Sequence, residues 1–271
     1  MTSQLQQPDI ENVVREFRQR LFQTHLPRVK AAAAIGAQPA LTTRTSEAEL
    51  SNADRQTFIG AYRQLINTGF ISECVSIHAD MSHMMHGSMG RVGAQRFLPW
   101  HRVFLYLFEQ HLQALQPGMG VPYWDWSSDA QVPDWLVDYT PTVLGANGNP
   151  ITVFRTSGDP LAPNLPSSED VKATLADTDF TMFESDLEIS LHNTVHVWVG
   201  GPMQDLTTAP ADPLFWLHHA NVDRIWESWR SHNPGRNPTL DGTDAVLDPW
   251  SDTEPKTRDL VNYHYRYDLL P

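Results

Sequence analysis

Histidines on the apolar faces of predicted helices limit the folds open to this chain more than any other feature. His219 shares a helical stripe with Phe215, Val222 and Trp226, at spacings of 4, 3 and 7 residues. An imidazole buried in such a stripe needs a partner, because an unpaired polar group is costly to bury. A metal ion is one such partner, so the stripe points to helices that pack around a metal site.

A second pair of histidines has the spacing that places two imidazoles on one face of a helix. His192 and His196 are four residues apart, so both rings can reach the same ion. Zinc proteases use the same spacing but need a glutamate directly after the first histidine as general base. Asn193 occupies that position here, which disfavours the metalloprotease interpretation.

The first half of the chain supplies a further group of histidines. A helix is predicted to open at Pro99, with His101 in its first turn and Phe104 and Phe108 on its inner face. The segment before this helix carries three more candidate ligands: His78, His83 and His86.

Each half of the chain can therefore supply three neutral imidazoles to one ion. Imidazole suits copper, zinc, iron and nickel. Three ligands leave a coordination position open, as in catalytic sites. The motifs contain few carboxylates, which disfavours magnesium, calcium, manganese and a di-iron carboxylate bundle. These patterns predict a dicopper centre, with a zinc hydrolase that uses the same ligands as an alternative.

Helical periodicity sets the fold class, which is mainly α: a four-helix bundle core that houses a dinuclear copper site, with long irregular loops and little β. Residues 87–98 and 119–166 read as loops, and short strands are expected near 263–267. The predicted helices cover 10–34, 52–69, part of 70–86, a stretch from Pro99 to Pro117, 168–176, 180–197, and a stretch that begins at Pro213 with Asp212 as N-cap.

Composition is that of a soluble protein, and 271 residues suit a single domain over 1–271. The formal net charge of −13 argues against nucleic acid and anionic membranes as partners. No apolar run is long enough to cross a membrane, and the polar start Met1–Glu11 has no secretory signal. We expect a cytoplasmic protein, with export through a partner as the alternative.

Four motifs resemble those of the tyrosinase family, which comprises tyrosinases, catechol oxidases and molluscan haemocyanin domains. The likeness extends over roughly residues 70–230, and Tyr263 and Tyr265 resemble the tyrosine motif that closes the family's core domain. The four motifs, in the family's order, are Phe97–Arg102, Pro122–Trp126, Leu191–Gly201 and Asp212–Arg224.

The resemblance implies two copper ions, with O2 as co-substrate. His86 is preferred to His83 because it precedes Gly87, as the corresponding ligand of the family often precedes glycine; His83 stays the alternative. His218 would lie beside the second copper without binding it. The implied ligands are His78, His86 and His101 for the first copper, and His192, His196 and His219 for the second.

The resemblance also implies roles around the copper ions. Glu188 and Asn193 would orient a water that takes the proton of the phenol, although Asn193 could equally serve only to orient His192. Phe215 would cover the substrate pocket. Val197 stands where several bacterial relatives carry arginine, which bears on the polarity of that pocket.

Many relatives join a copper ligand to a cysteine through a thioether. Here the residues before His86 are Met84 and Met85, and the single cysteine is Cys74. We therefore expect no thioether, and we expect Cys74 to be a small buried apolar residue.

The implied reaction is the ortho-hydroxylation of a small phenol and the oxidation of o-diphenols to o-quinones, with a copper-delivery protein as a further partner. Two alternatives stay open: a catechol or o-aminophenol oxidase without the hydroxylation step, and an O2 carrier like haemocyanin. The chain ends at Pro271, soon after the tyrosine motif, so we expect an open site without a covering domain.

Overall fold

The computed structural model describes residues 41–271. The helix predicted over 10–34 lies outside the described residues, and the single domain over 1–271 stays a prediction. Within 41–271 no helix is long and apolar enough to cross a membrane. The described helices are α1 (Asn52–Asn67), α2 (Phe70–Ala79), α3 (Arg91–Leu115), α4 (Asp134–Val137), α5 (Ser168–Leu175), α6 (Phe180–Ser185), α7 (Asn193–Val199), α8 (Pro213–His232) and α9 (Glu254–Thr257).

The fold class is confirmed, because four helical segments surround the core. They are α2, α3, the continuous stretch from α6 to α7, and α8. A π-helical segment, Asp186–His192, joins α6 to α7. In it the backbone N–H of Asn193 donates to the carbonyl of Glu188, five residues back. Such wide turns occur often at functional sites.

Within residues 41–271, two small sheets account for the strands. Strand β1 (Thr42–Arg44) pairs in parallel with β4 (Tyr265–Tyr267), which confirms the strand expected near the C-terminal tyrosines. Strands β2 (Thr142–Leu144) and β3 (Pro150–Thr152) form an antiparallel hairpin within the segment predicted to be irregular.

The prediction for the start of α3 was wrong. The helix begins at Arg91, Pro99 lies inside it, and His101 lies near its middle rather than in its first turn. A proline inside a helix removes one hydrogen bond and normally ends or kinks the helix. Here Phe97, Leu98 and Trp100 are almost fully buried, and their packing outweighs that loss.

The tyrosines near the C-terminus have different partners. The hydroxyls of Tyr265 and Tyr267 both lie 2.6 Å from a carboxylate oxygen of Asp223 in α8. The hydroxyl of Tyr263 donates to Asp252. Tyr265 and Tyr267 lie in β4, where residues two apart point to the same face, whereas Tyr263 ends a 3-10 turn that precedes the strand.

Candidate metal centre

Seven histidines form two clusters, and within each cluster the ligating atoms lie within 4.8 Å of one another. The rings come from α2, the α2–α3 loop, α3, the α6–α7 stretch and α8, so residues from both halves of the chain converge. The first cluster consists of His78, His86 and His101, and the second cluster of His192, His196, His218 and His219.

The two clusters touch through one pair of rings. His101 of the first cluster and His219 of the second are stacked, with ring centroids 4.4 Å apart and an angle of 13° between their planes. His86 and His192 lie on another side, 6.1 Å apart. The arrangement places two metal-binding groups side by side, as a dinuclear centre requires.

Carbonyl oxygens set the tautomer of three of these rings. The Nδ1 atoms of His78, His101 and His196 lie 2.6, 2.8 and 2.6 Å from the carbonyl oxygens of Leu206, Phe97 and Met203. A carbonyl oxygen only accepts hydrogen bonds, so each Nδ1 carries the proton. Each Nε2 therefore keeps a free lone pair, which is the form that binds a metal ion.

These lone pairs face each other. The Nε2 atom of His78 lies 3.5 Å from that of His86 and 3.4 Å from that of His101. The Nε2 atoms of His196 and His219 are 3.4 Å apart, and that of His192 is buried with no hydrogen-bond partner. In the first cluster these acceptor atoms repel one another unless a cation lies between them. In the second cluster a cation would supply the partner that the buried Nε2 of His192 lacks. The donor set therefore fits one metal ion in each cluster, and all-imidazole ligation suits copper.

Burial favours the neutral form of six cluster histidines. Burial lowers the pKa of His196 to about 4. It lowers the pKa of five other cluster histidines well below the ordinary value, and the neighbouring histidines lower it further. Neutral imidazole is the ligating form, so metal binding at neutral pH needs no deprotonation. The others are His78, His101, His192, His218 and His219.

His218 differs from the other members of the second cluster. The sequence pattern allowed only one of His218 and His219 on the inner face, but both rings lie in the cluster. The indole N–H of Trp126 can only donate, and it meets Nδ1 of His218 at 3.1 Å. The neutral ring therefore carries its proton on Nε2. This tautomer is opposite to that of His196 and disfavours His218 as a ligand through Nε2.

Glu188 ties the second half of the chain to the loop that carries His86. The backbone N–H of Gly87 lies 2.9 and 3.0 Å from its two carboxylate oxygens, and Nδ1 of His86 lies 3.3 Å from one of them. Both oxygens of Glu188 are thus engaged with this loop. The contact orients the imidazole of His86 and places the proton of that ring on Nδ1.

Two glycines allow this loop to pack closely. A Cβ atom on Gly87 would lie 2.8 Å from Oε2 of Glu188, and one on Gly93 would overlap the carbonyl oxygen of His86. The glycines near residue 90 led to the prediction of a loop. In the structure they allow the first turn of α3 to pack closely against His86.

The remaining predicted residues lie around the clusters. Oδ1 of Asn193 is 3.1 Å from Nδ1 of His192, a contact that orients this ring. Phe215 is fully buried, and its ring centroid lies 4.2 Å from that of His219 and 5.1 Å from that of His78. Val197 follows His196 at the end of the second ligand pair and is partly exposed.

His83 lies apart from the first cluster. Its ring stacks on Trp100 at 6.2 Å, and its carbonyl accepts a hydrogen bond from Arg96. The structure therefore brings together His78, His86 and His101 without His83, which favours His86 as the third ligand. The assignment of individual ligands stays a prediction.

Sequence reasoning missed three residues of the site. The ring of Phe97 lies 4.8 Å from both His101 and His192, so it fills the space between the clusters. Trp126 sets the tautomer of His218. Glu184 lies one helical turn before Glu188, where burial, together with that neighbouring carboxylate, raises its pKa to about 10. The spacing of two glutamates four residues apart was the available signal for Glu184.

Comparisons with known proteins agree with this site. The family model "Common central domain of tyrosinase" matches residues 68–162 and 147–232. The chain is 30% identical to a tyrosinase of Streptomyces antibioticus, over 84% of this chain and 100% of that protein. It is 33% identical to a tyrosinase of Streptomyces galbus, over 84% and 100%. An octopus haemocyanin of Enteroctopus dofleini is 30% identical over 82% of this chain, but over only 9% of that protein.

Solved structures share the fold. A functional unit of octopus haemocyanin matches with a TM-score of 0.69 and 23% identity, over 84% of this chain and 68% of that one. A polyphenol oxidase from Thermothelomyces thermophila matches with a TM-score of 0.59 and 18% identity, over 94% and 97%. Both likenesses concern the fold.

Proposed function

Because the chain belongs to the tyrosinase family of type-3 copper proteins, we propose that it is a tyrosinase, which hydroxylates monophenols and oxidises o-diphenols to o-quinones. The observation that carries the proposal is the convergence of imidazole lone pairs in two touching clusters. When bound, two copper ions would supply the O2 chemistry, and the protein would supply the geometry of the ligands. The proposed ligands are His78, His86 and His101 for one ion, and His192, His196 and His219 for the other.

Four residues beside the histidines would have the remaining roles in the reaction. Phe97 and Phe215 pack against rings of both clusters and exclude water from the space between them. Asn193 holds the ring of His192, and Glu188 holds that of His86. A phenol has a pKa near 10 and must lose its proton to bind as phenolate, so a water oriented by Asn193 and Glu188 would accept that proton.

The second candidate, a catechol oxidase without the hydroxylation step, has one observation in its favour. Both oxygens of Glu188 are already engaged with Gly87 and His86, which leaves them less free to orient a water. A catechol needs no ortho-hydroxylation, so an enzyme with Glu188 in a purely structural role can still oxidise it.

Copper content and quinone formation test these candidates together. Purified protein is loaded with copper and mixed separately with tyrosine and with a catechol, while quinone absorbance is followed. Two coppers per chain with quinone from both substrates supports the tyrosinase. Quinone from the catechol alone favours the catechol oxidase. Copper without quinone from either substrate favours an O2 carrier, and zinc in place of copper contradicts all three.

A further inference from the structure

Methionines are concentrated in the loop that precedes α3. Half of the eight methionines of the chain lie between Met81 and Met89, together with His83 and His86. The thioether of methionine is a soft ligand that prefers Cu(I) to harder cations. Of these four methionines only Met85 is buried, so core packing does not account for the concentration.

Exposure falls along this loop towards the first cluster. Met81 is 40% exposed, and Met84 and Met89 are partly buried, while Met85 and His86 are 0% and 4% exposed. The methionines therefore range from the protein surface at Met81 to full burial at Met85, next to a predicted histidine ligand. This gradient distinguishes the loop from a methionine-rich core, in which every side chain would be buried.

The loop is held at two points on either side of its turn. Arg96 donates to the carbonyl of His83 at 2.9 Å, and Glu188 accepts from the backbone N–H of Gly87. Between these contacts Met84 has a φ of 49°, an uncommon left-handed conformation for a residue with a side chain. The turn leads the chain from the exposed Met81 to the buried His86, with Met89 three residues beyond it.

We propose that Met81, Met84 and Met89 form an uptake site for Cu(I), which passes the ion to His86 and so to the first cluster. The inference rests on the proposed dicopper site and adds the route by which one metal ion reaches it. Transfer exchanges soft thioether ligands for imidazole ligands, and it changes neither the charge nor the oxidation state of the ion.

The test compares metal uptake by copper-free protein and by a triple variant, Met81→Leu with Met84→Leu and Met89→Leu. Leucine keeps the volume and the apolar character of methionine but removes the sulfur. Cu(I) is supplied from a chromogenic chelator, and its transfer is followed by absorbance in stopped flow. We expect the triple variant to take up Cu(I) more slowly by about tenfold or more, with an unchanged final copper content.

Two controls separate a sulfur effect from a general one. Met182→Leu removes an exposed methionine on α6 and should leave the rate of Cu(I) uptake unchanged. Cu(II), which is a harder ion, should enter the wild type and the triple variant at the same rate. The single variant Met81→Leu alters only an exposed side chain, so a partial slowing there supports the route even where the triple variant folds poorly.

The outcomes distinguish this route from the function on which it rests. Equal rates of Cu(I) uptake by wild type and triple variant, with two coppers bound in each, overturn the uptake site alone. Equal slowing of Cu(I) and Cu(II) also overturns it, because the methionines would then act on access or folding rather than through sulfur. A wild-type chain that binds no copper overturns the dicopper proposal and the uptake site together.

Discussion

At the scale of single residues, the site depends on which nitrogen of each ring carries a proton. Backbone carbonyls place that proton on Nδ1 of His78, His101 and His196. The carbonyls of Phe97 and Met203 are close in sequence to His101 and His196, but Leu206 is 128 residues from His78. Helical spacing predicts which histidines share a face, but the tautomer of His78 depends on a contact that no local pattern indicates.

The choice between His83 and His86 can be decided by copper content. His86→Ala removes a ring whose Nε2 faces that of His78, so we expect it to lose one copper per chain. His83→Ala removes a ring stacked on Trp100 outside the cluster, so two coppers should remain. Copper per chain is measured after loading and dialysis. The opposite pattern would assign the ligand to His83.

A second residue-scale prediction concerns Glu188. In Glu188→Gln an amide nitrogen replaces one of the two oxygens that accept from the N–H of Gly87. The amide nitrogen is itself a donor, so it cannot accept that hydrogen bond. Loss of such an orienting contact typically lowers metal affinity by about 10–100-fold. We expect a loss of this size for the first cluster only, measured by competition with a copper chelator.

A matched variant makes the effect of Glu188 interpretable. Glu169→Gln changes an exposed glutamate on α5 and should bind both coppers as the wild type does. Equal copper affinity in Glu188→Gln and Glu169→Gln would show that Glu188 does not orient His86.

At the scale of elements, local signals predicted α8 well and α3 badly. Asp212 caps α8 through the N–H of Leu214, and Pro213 stands at the first helical position, as the sequence indicated. The predicted start of α3 lay too late in the sequence because proline and glycine usually break helices. In the folded protein the helix continues through Pro99, where the neighbouring side chains are buried, and Gly93 packs closely against His86. These are tertiary contacts, which no local pattern reveals.

The cap of α8 is also a buried ion pair, which makes a prediction for stability. Arg155 meets the carboxylate of Asp212 at 2.7 and 2.9 Å, and Asp212 is fully buried. Asp212→Ala removes the cap and leaves the guanidinium of Arg155 without its partner, so the free energy of unfolding should fall by about 3–5 kcal/mol.

Ser167→Ala is the matched control for a cap without a buried charge. It removes the exposed capping box of α5, and the free energy of unfolding should fall by about 1 kcal/mol. Urea denaturation of both variants tests the comparison. Equal losses in the two variants would mean that the ion pair with Arg155 adds nothing to the cap.

At the scale of the whole molecule, a buried carboxylate joins elements from both ends of the described chain. Asp223 in α8 meets Arg102 of α3 at 2.6 Å, Arg44 of β1 at 3.3 Å, and the hydroxyls of Tyr265 and Tyr267 in β4. The tyrosine motif suggested that this part of the chain closes the domain. The pairing with Arg44 could not be predicted, since 179 residues separate it from Asp223 and charge complementarity alone selects no partner.

The stability of the whole fold should depend on pH through Glu184. Burial, the hydrogen bond with Glu188 and the charge of Glu188 raise its pKa in the folded protein to about 10. In the unfolded chain a glutamate has a pKa of about 4.3. A raised folded pKa gives a contribution to stability that is fully present below pH ~4 and is lost as pH rises from there towards pH ~10.

Replacement by glutamine should remove that dependence. The amide of Glu184→Gln can donate to Glu188 as the protonated acid does, but it needs no proton from solution. We therefore expect the copper-free variant to match the wild type near pH 4 and to exceed its free energy of unfolding by about 1–3 kcal/mol at pH 8. Urea denaturation at pH 4, 6 and 8 measures the difference, with Glu169→Gln as an exposed control that should show no such trend. A constant difference across this range would mean that Glu184 is ionised in the folded protein, and that the two buried glutamates share the core as charged groups.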